Sequence, residues 1–487
     1  MGGSARVSGL EPGATVVCTR TAIPPGARRG LELLASWRPG VETPAQDPAY
    51  SARAAREAHG VTDAACTHAA TDAALTRAAT DAALTHAATD AAYTHADTDA
   101  AHMARAVELA ACGRGATSPN PVVGCVVLDA SGNVAGEGFH AYAGGPHAEV
   151  VALREAGERA RGGTAYVTLE PCDHTGRTGP CSLALLDAGI ARVVVAVADP
   201  TPKAAGGAAR LRAHGVTVES GLLAEQGERV NAEWLTYARL GRPYVTWKFA
   251  ATLDGRSAAS DGTSQWITSP ESRADVHRLR AESDAIVAGI GTILADDPRL
   301  TARPSRPADA GRPADASDPT SPAYASHATS PDGQARPAVR VPLRVVVDSE
   351  ARTPPGARVL DGAEPTLVAV ADDVETRLEA DLIRLPRHDG GLDLSALLRE
   401  LAAREVVSVF LEGGPTLAGA FLRQGLIDRV IAYLAPALLG AGPAALGDAG
   451  VATIAATHRL AFDDVSPIGP DLRLTARPVL APPRKES

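Results

Sequence analysis

Residues 164–199 read TAYVTLEPCDHTGRTGPCSLALLDAGIARVVVAVAD. TAYVTLE is short, apolar and rich in β-branched residues, as a buried strand is, and RVVVAVAD repeats that character. Between them SLALLDAGI carries apolar residues at helical spacing and stops at Gly189. Two cysteines, Cys172 and Cys181, stand in the segment joining the first strand to the helix, each after a proline.

The same alternation extends both ways. Upstream, MARAVELAACGRG from Met103 places Ala106, Leu109 and Ala110 on one helical face. PVVGCVVLD (121–129) and GNVAGEGFH flank an Asp-Ala-Ser-Gly turn and predict a hairpin, and HAEVVALREAGERA predicts a helix. Downstream, 224–241 reads as a linker into a second segment opening PYVTWKFAATLDGR. There Ser269-Pro270-Glu271 reads as an N-cap, a first-turn proline and a dipole-matching acid. DAIVAG, LRVVVDS, PTLVAVA and VVSVFLEGG read as buried strands. Alternating strands and helices predict α/β layers in both halves.

Two stretches fall outside this pattern. Residues 62–102 repeat a nine-residue unit, TDAALTHAA and its variants. Nine residues advance a helix two and a half turns, so successive copies face opposite sides and no apolar stripe forms. His68, His86 and His95 recur through it, and tandem duplication explains them better than metal binding. Residues 303–341 are dominated by Pro, Ala, Asp and Ser and read as a disordered surface insertion. The organisation expected is an extension (1–100), a first domain (101–223), a linker (224–241) and a second domain (242–480).

The formal net charge of −10 argues against a general binder of phosphate backbones. No apolar run reaches the roughly 18 residues of a membrane span, and the N-terminus has no signal-peptide pattern. Six cysteines in 487 residues do not make a disulfide scaffold. The expectation is a soluble, cytoplasmic protein. Among 47 basic residues only Lys203, Lys248 and Lys485 are lysine, so Lys248, inside the apolar run YVTWKFAA, stands out. It reads equally as a strand-end lysine reaching solvent or as a compact charge beside a reacting group.

His147 and Glu149 stand in GPHAE at a helix start, ahead of Cys172 and Cys181. A hydrolytic zinc site takes three protein ligands and leaves one position open for water, and one imidazole with two thiolates meets that need. A carboxylate kept off the metal, Glu149, can carry protons between water and a departing amine. His-x-Glu with Pro-Cys-x-x-Cys is the pattern of zinc nucleobase deaminases, but here eight residues separate the cysteines. Asp173 and His174 are therefore rival ligands, and a closed zinc on Cys172, Cys181, His147 and His174 is the structural alternative.

In the second half no G-x-G-x-x-G follows a strand, so a doubly wound nicotinamide domain is not signalled. Glu412-Gly413-Gly414-Pro415-Thr416 follows VVSVFL and opens a helix, where glycines let backbone N–H groups approach a phosphate. Tight-turn glycine is the plainer reading of the motif alone.

From Met103 to about Pro478 the chain resembles the bacterial bifunctional riboflavin-biosynthesis family, a pyrimidine deaminase fused to a reductase. The resemblance rests on TSPNPVVGCVV, GPHAEVVAL, TAYVTLEPCDHTGRTGPC, KFAATLDGR, SQWITS, TILADDPRLT and EGGPTLAG. The family's cysteine loop is long, and Gly179 stands where it usually has proline. The resemblance implies a cytidine-deaminase-like three-layer α/β/α domain followed by a dihydrofolate-reductase-like α/β domain. It implies zinc on His147, Cys172 and Cys181, Glu149 as proton donor, and Asn120 reading the pyrimidine edge. It implies NADPH contacts from Ala250, Trp266, Thr292, Asp296, Ser349 and the run Gly414, Pro415, Thr416, Leu417, Ala418, Gly419 and Ala420. Ser264, Arg280, Leu300, Arg303 and Glu412 would contact the ribose-phosphate substrate, with Lys248 near the reacting imine or phosphate. Implied too are phosphoribosylated pyrimidines as small-molecule partners, a homo-oligomer, and no nucleic acid or membrane. The rivals are a nucleic-acid base deaminase, disfavoured by the net charge, and a zinc-stapled binding scaffold.

Overall fold

Alanine-rich sequence propagates a helix well, and it does so here earlier than Met103. The computed structural model describes residues 98–174, 179–302 and 341–479, and α1 occupies 98–111. The Asp99 carboxylate accepts from the Tyr166 hydroxyl at 2.5 Å and from Arg192 at 2.6 Å. The last copy of the repeat therefore belongs to the first domain, which corrects the expected boundary at 100. The rest of the repeat, Arg303 and nearly all of the 303–341 insertion lie outside the described residues.

The first sheet is 5-stranded in the order β2-β1-β3-β4-β5: Val134–Phe139, Gly124–Leu128, Thr164–Leu169, Arg192–Val197 and Thr217–Ser220. β1 is antiparallel to β2 and β3, whereas β3, β4 and β5 run parallel. Side chains alternate across the strands. Val126, Leu128, Tyr166 and Val194 pack on α1 through Met103, Ala106 and Leu109. Cys125, Val127, Val167 and Val195 face α2 (Ala148–Ala156), α3 (Cys181–Asp187) and α4 (Gly207–Ala213). This is the expected three-layer arrangement.

Small residues bring α2 close to the sheet. A Cβ at Gly136 would stand 2.2 Å from the Ala152 carbonyl oxygen, and one at Gly138 2.5 Å from that of Ala148. Gly138→Ala is expected to push the N-terminus of α2 outward. Overpacking costs about 1–3 kcal/mol, and each kcal/mol is worth about 2–4 °C in a domain of this size. Thermal melting should show the loss, with Gly356→Ala unchanged because a Cβ there meets nothing within 4 Å.

The stretch expected as a linker is instead helical. α5 (Ala224–Val230) and α6 (Ala232–Leu240) follow β5, and Val230 and Leu235 are buried. Apolar residues at helical spacing give these segments a face to pack, which a bare tether lacks.

The second sheet is 9-stranded. Its main strands are β6 (Tyr244–Thr252), β7 (Ala285–Gly289), β8 (Leu343–Val347), β9 (Thr366–Ala371) and β10 (Asp381–Leu385). A short pair, β11 (Arg387–His388) and β12 (Gly391–Leu392), stands apart; β13 (Ser408–Leu411), β14 (Arg429–Ala435), β15 (Leu460–Ile468) and β16 (Asp471–Pro478) complete the sheet. The order β10-β9-β8-β7-β13-β6-β14 is parallel throughout, and β16 and β15 add an antiparallel edge. Strands buried on both faces need continuous apolar runs, which DAIVAG and LRVVVDS supply. α7 (Pro270–Glu282) and α8 (Ile290–Asp296) lie among them in the chain, and α9 (Leu394–Ala403) and α10 (Pro415–Arg423) cover one face. Ser269 caps α7 as its sequence predicts, accepting from the Ser272 N–H at 3.2 Å.

Candidate active sites

In the first domain, the N-cap of α2 is His147, in extended backbone, and Glu149 lies in its first turn. Cys172 sits in the loop after β3, while Pro180 breaks the chain so that Cys181 opens α3. The ligand atoms of His147, Cys172 and Cys181 all lie within 4.8 Å of one another. His147 Nδ1 is 3.1 Å from Cys181 Sγ and 3.5 Å from Cys172 Sγ. Tetrahedral zinc at its usual bond lengths spaces such atoms by about 3.5–3.8 Å, so this donor set fits the ion.

Without a metal the two thiols share a hydrogen bond and titrate apart. The Cys172 thiol is pushed down to about 4, chiefly by the hydrogen bond from Cys181, against the opposing effect of burial and with help from His147. The same hydrogen bond and burial push Cys181 up. Glu149 is 3% exposed and burial raises its carboxyl above the ordinary range, partly offset by His147.

The rival ligands lie elsewhere. Among the described residues the metal-competent cluster holds neither Asp173 nor His174. Asp173 instead accepts from the Ser182 hydroxyl at 2.5 Å and from Arg210, bracing the cysteine loop against α4. Asn120 lies near the triad through His140, which sequence reading missed. His140 Nε2 is 3.4 Å from the Asn120 amide nitrogen, and its Nδ1 is 3.0 Å from the Pro146 carbonyl. Burial pushes His140 down, which favours the neutral ring that can accept from Asn120. Its only sequence signal is a histidine closing the hairpin strand, GFH, shortly before GPHAE.

In the second domain a cavity of about 1330 Å³ opens at the carboxyl ends of β6, β7, β8 and β13, where open α/β sheets take their ligands. Ala250, Ser264, Trp266, Thr292, Asp296, Leu300 and Ser349 line it, with Lys248, Arg280 and Glu412. Gly414, Pro415, Thr416, Leu417 and Ala420 line it also, at the start of α10. Ala418 and Gly419 do not. The helix turns Ala418 into the core, and a Cβ at Gly419 would stand 2.2 Å from the Asp448 carbonyl oxygen. Gly413 packs closely on Leu417, whose Cδ2 would stand 2.8 Å from a Cβ there. A glycine-lined helix start in a cavity of this size suits a dinucleotide phosphate.

Two residues expected to meet substrate are paired with each other. Arg280 Nε donates to Glu412 Oε1 at 2.6 Å, Nη2 donates to Oε2, and Nη1 donates to the Thr301 carbonyl at 3.1 Å. Lys248 is pushed down by burial, and the nearby Glu412 charge opposes that. Trp266 is 69% exposed at the rim, with the Arg273 guanidinium 4.4 Å above its ring.

Comparison with known proteins places both halves of the chain. The family described as the cytidine and deoxycytidylate deaminase zinc-binding region matches residues 96–197, and the RibD C-terminal domain matches 243–474. The riboflavin biosynthesis protein RibD of Escherichia coli is 43% identical over 377 residues, covering 76% of this chain and 97% of that protein. Its namesake from Mycobacterium tuberculosis is 45% identical over 375 residues, covering 77% and 95%. The structure of Acinetobacter baumannii RibD superposes with a TM-score of 0.66 at 38% identity, covering 79% of this chain and 100% of that one. That of the Thermotoga maritima diaminohydroxyphosphoribosylaminopyrimidine deaminase/5-amino-6-(5-phosphoribosylamino)uracil reductase gives 0.64 at 31%, with the same coverage. With a triad fit for zinc in one half and a nucleotide-sized cavity in the other, the chain belongs to the RibD family of bifunctional riboflavin-biosynthesis enzymes, deaminase first and reductase second.

Proposed function

We propose that this chain hydrolytically deaminates 2,5-diamino-6-(5-phosphoribosylamino)pyrimidin-4(3H)-one and then reduces the resulting 5-amino-6-(5-phosphoribosylamino)uracil to its ribitylamino product. The observation that carries the reading is the His147–Cys172–Cys181 triad with Glu149 buried beside it and outside it. These three side chains would hold zinc, which when bound makes water a nucleophile at neutral pH. Glu149 takes a proton from the attacking water and delivers it to the departing 2-amino nitrogen, which leaves as ammonia. Its raised pKa suits a group that must both take and give a proton. Asn120, its amide turned by His140, orients the ring.

In the second half, the N-terminus of α10 with Gly414, Thr416 and Thr292 would seat the pyrophosphate of NADPH, whose nicotinamide supplies hydride when bound. Because Glu412 occupies the Arg280 fork, Lys248 is the better placed cation for the substrate phosphate or the reacting imine.

Two coarser expectations have support of the same kind. β15 is exposed along most of its length, with Phe462 at 65% and Val465 at 54%, which supports a homo-oligomer built on that edge. Cys112, Cys125, Cys172 and Cys181 are free, which suits a reducing cytoplasm. No described helix is long and apolar enough to cross a membrane.

The test supplies the diaminopyrimidine and NADPH to the purified chain. One ammonia released and one NADPH oxidised per substrate is expected. Ammonia without NADPH loss would sink the reductase reading, and neither would sink the whole.

A further inference from the structure

The two halves meet where Gly115 packs against Glu282 at the end of α7 and along α6, and the contacts on α6 run in a line. Asn231, immediately before α6, is 5% exposed, and its Oδ1 accepts from the Val122 backbone N–H at 3.2 Å. Val122 is two residues beyond Asn120, with Pro121 stiffening the step between them. Two residues after Asn231, the Glu233 carboxylate accepts from Arg429 Nη1 at 3.0 Å. Arg429 opens β14 in the reductase sheet, and its guanidinium lies 4.9 Å over the ring of Tyr244 on β6. Both charged side chains are largely enclosed, at 21% and 27% exposure.

A cavity of about 90 Å³ lies beside these contacts, lined by Arg114, Asn120, Asn231, Glu233, Thr246 and Arg429 among others. It has room for waters and is far below the few hundred Å³ that a ligand of nucleotide size needs. Among the described residues the seam at this point is therefore a contact with room for waters only. A second tie, the two-pronged Arg242–Asp428 pair at 2.6 and 2.8 Å, already joins the start of β6 to that of β14. That pair holds the reductase strands together without touching the deaminase loop, so it does not account for Asn231 and Glu233.

We propose that Asn231 and Glu233 are positioning residues of the deaminase. Together they latch the Asn120–Val122 loop onto reductase strand β14, so the second domain holds the pyrimidine-reading amide of the first in place. The inference rests on the reading of Asn120 as the pyrimidine contact. Its physical basis is that the Val122 N–H is buried, and losing its acceptor leaves an unsatisfied donor. The loop then relaxes to find water, and Asn120 moves with it. Removing Arg429 leaves the Glu233 carboxylate enclosed beside Arg114 alone and frees α6 to shift.

The test uses the full chain carrying Asn231→Ala, Asn231→Asp, Arg429→Met or Arg429→Lys. Zinc content, melting midpoint, ammonia release from the diaminopyrimidine, NADPH oxidation and Val122 amide exchange are measured on each. Asn231→Ala is expected to raise the deaminase KM about ten-fold, the scale of one buried unsatisfied group, with kcat within about two-fold and zinc unchanged. Asn231→Asp keeps an acceptor oxygen and should recover most of that loss. Arg429→Met should raise the deaminase KM about three- to ten-fold although it lies in the other domain, and leave the KM for NADPH alone. Arg429→Lys keeps a charge that can still reach Glu233, so it should recover most of the methionine variant's loss, and a KM as high as in Arg429→Met would contradict the latch. Val122 exchange should quicken in Asn231→Ala and Arg429→Met.

An unchanged deaminase KM and unchanged Val122 exchange in folded variants would overturn the latch. So would a joint fall of kcat, zinc and melting midpoint, which marks mere structural damage. If the unaltered chain releases no ammonia while Val122 exchange still responds, the substrate reading has failed and the latch stands.

Discussion

Cys172→Ser is expected to purify folded, retain little zinc and release ammonia at least about a thousand-fold more slowly. Serine offers a neutral hydroxyl where zinc takes a thiolate, and the site has no spare ligand among the described residues. The structure sharpens the expectation. The hydrogen bond from Cys181 and the neighbouring His147 stabilise a thiolate at Cys172, and this substitution removes one of the two sulfurs of the donor set. Glu149→Gln is the companion. It should keep zinc, because Glu149 is outside the ligand cluster, and lose about 10²–10⁴-fold in ammonia release, the scale of general acid–base catalysis. Both variants should oxidise NADPH normally when given the deaminated uracil, since the reductase cavity is built from residues beyond Tyr244. Full zinc and full deamination in Cys172→Ser, or loss of both reactions in a folded Glu149→Gln, would contradict the assignment of the two sites to separate halves.

The layers of both domains were legible because burial imposes them on the sequence. TAYVTL and RVVVAV are short and rich in β-branched residues, as strands buried on two faces are, and the helix between them stops before Gly189, which has a φ of 69°. The zinc triad was legible because metal chemistry restricts residue types so tightly that a histidine and two cysteines near turns have few other uses. What stayed hidden depends on pairing between distant residues. Nothing in the local sequence of Arg280 says that Glu412, 132 residues on in the chain, will take its guanidinium. The helices at 224–240 were missed because each is short and its apolar face is only a few residues wide. His140 and Asn231 were missed for another reason: each acts through a backbone group, and a backbone partner leaves no mark in the sequence. Ala418 and Gly419 show the converse error. A run carried over from a motif ignores that a helix shows a cavity only one of its sides.

Glu412→Ala should be the most damaging single change in the reductase half, and for stability as well as rate. Its side chain and that of Arg280 are only 10% and 16% exposed, and the pair is two-pronged. Removing one partner of such a pair leaves an uncompensated buried charge and typically costs about 3–5 kcal/mol. Here Arg280 and the half-buried Lys248 would be left close together with their shared counter-ion gone. Glu412→Gln retains hydrogen-bonding atoms and should recover part of the packing but not the charge balance. The pH dependence distinguishes this from simple loss of volume. Burial alone would raise the Glu412 carboxyl, but Arg280, and to a lesser degree Lys248, outweigh it and hold the group below its ordinary value. A carboxyl lowered on folding contributes stability at pH above its unfolded value and loses it as pH falls through its folded value. The stability gap between the unaltered chain and Glu412→Ala should therefore be full at neutral pH and close progressively as pH falls below the ordinary carboxylate range. Denaturant midpoints measured across that range decide the matter, and a gap that stays constant into acid would mean the Glu412 charge contributes nothing. Ammonia release at neutral pH, measured on whatever fraction of the variant is folded, should be unchanged, because no atom of this pair belongs to the zinc cluster.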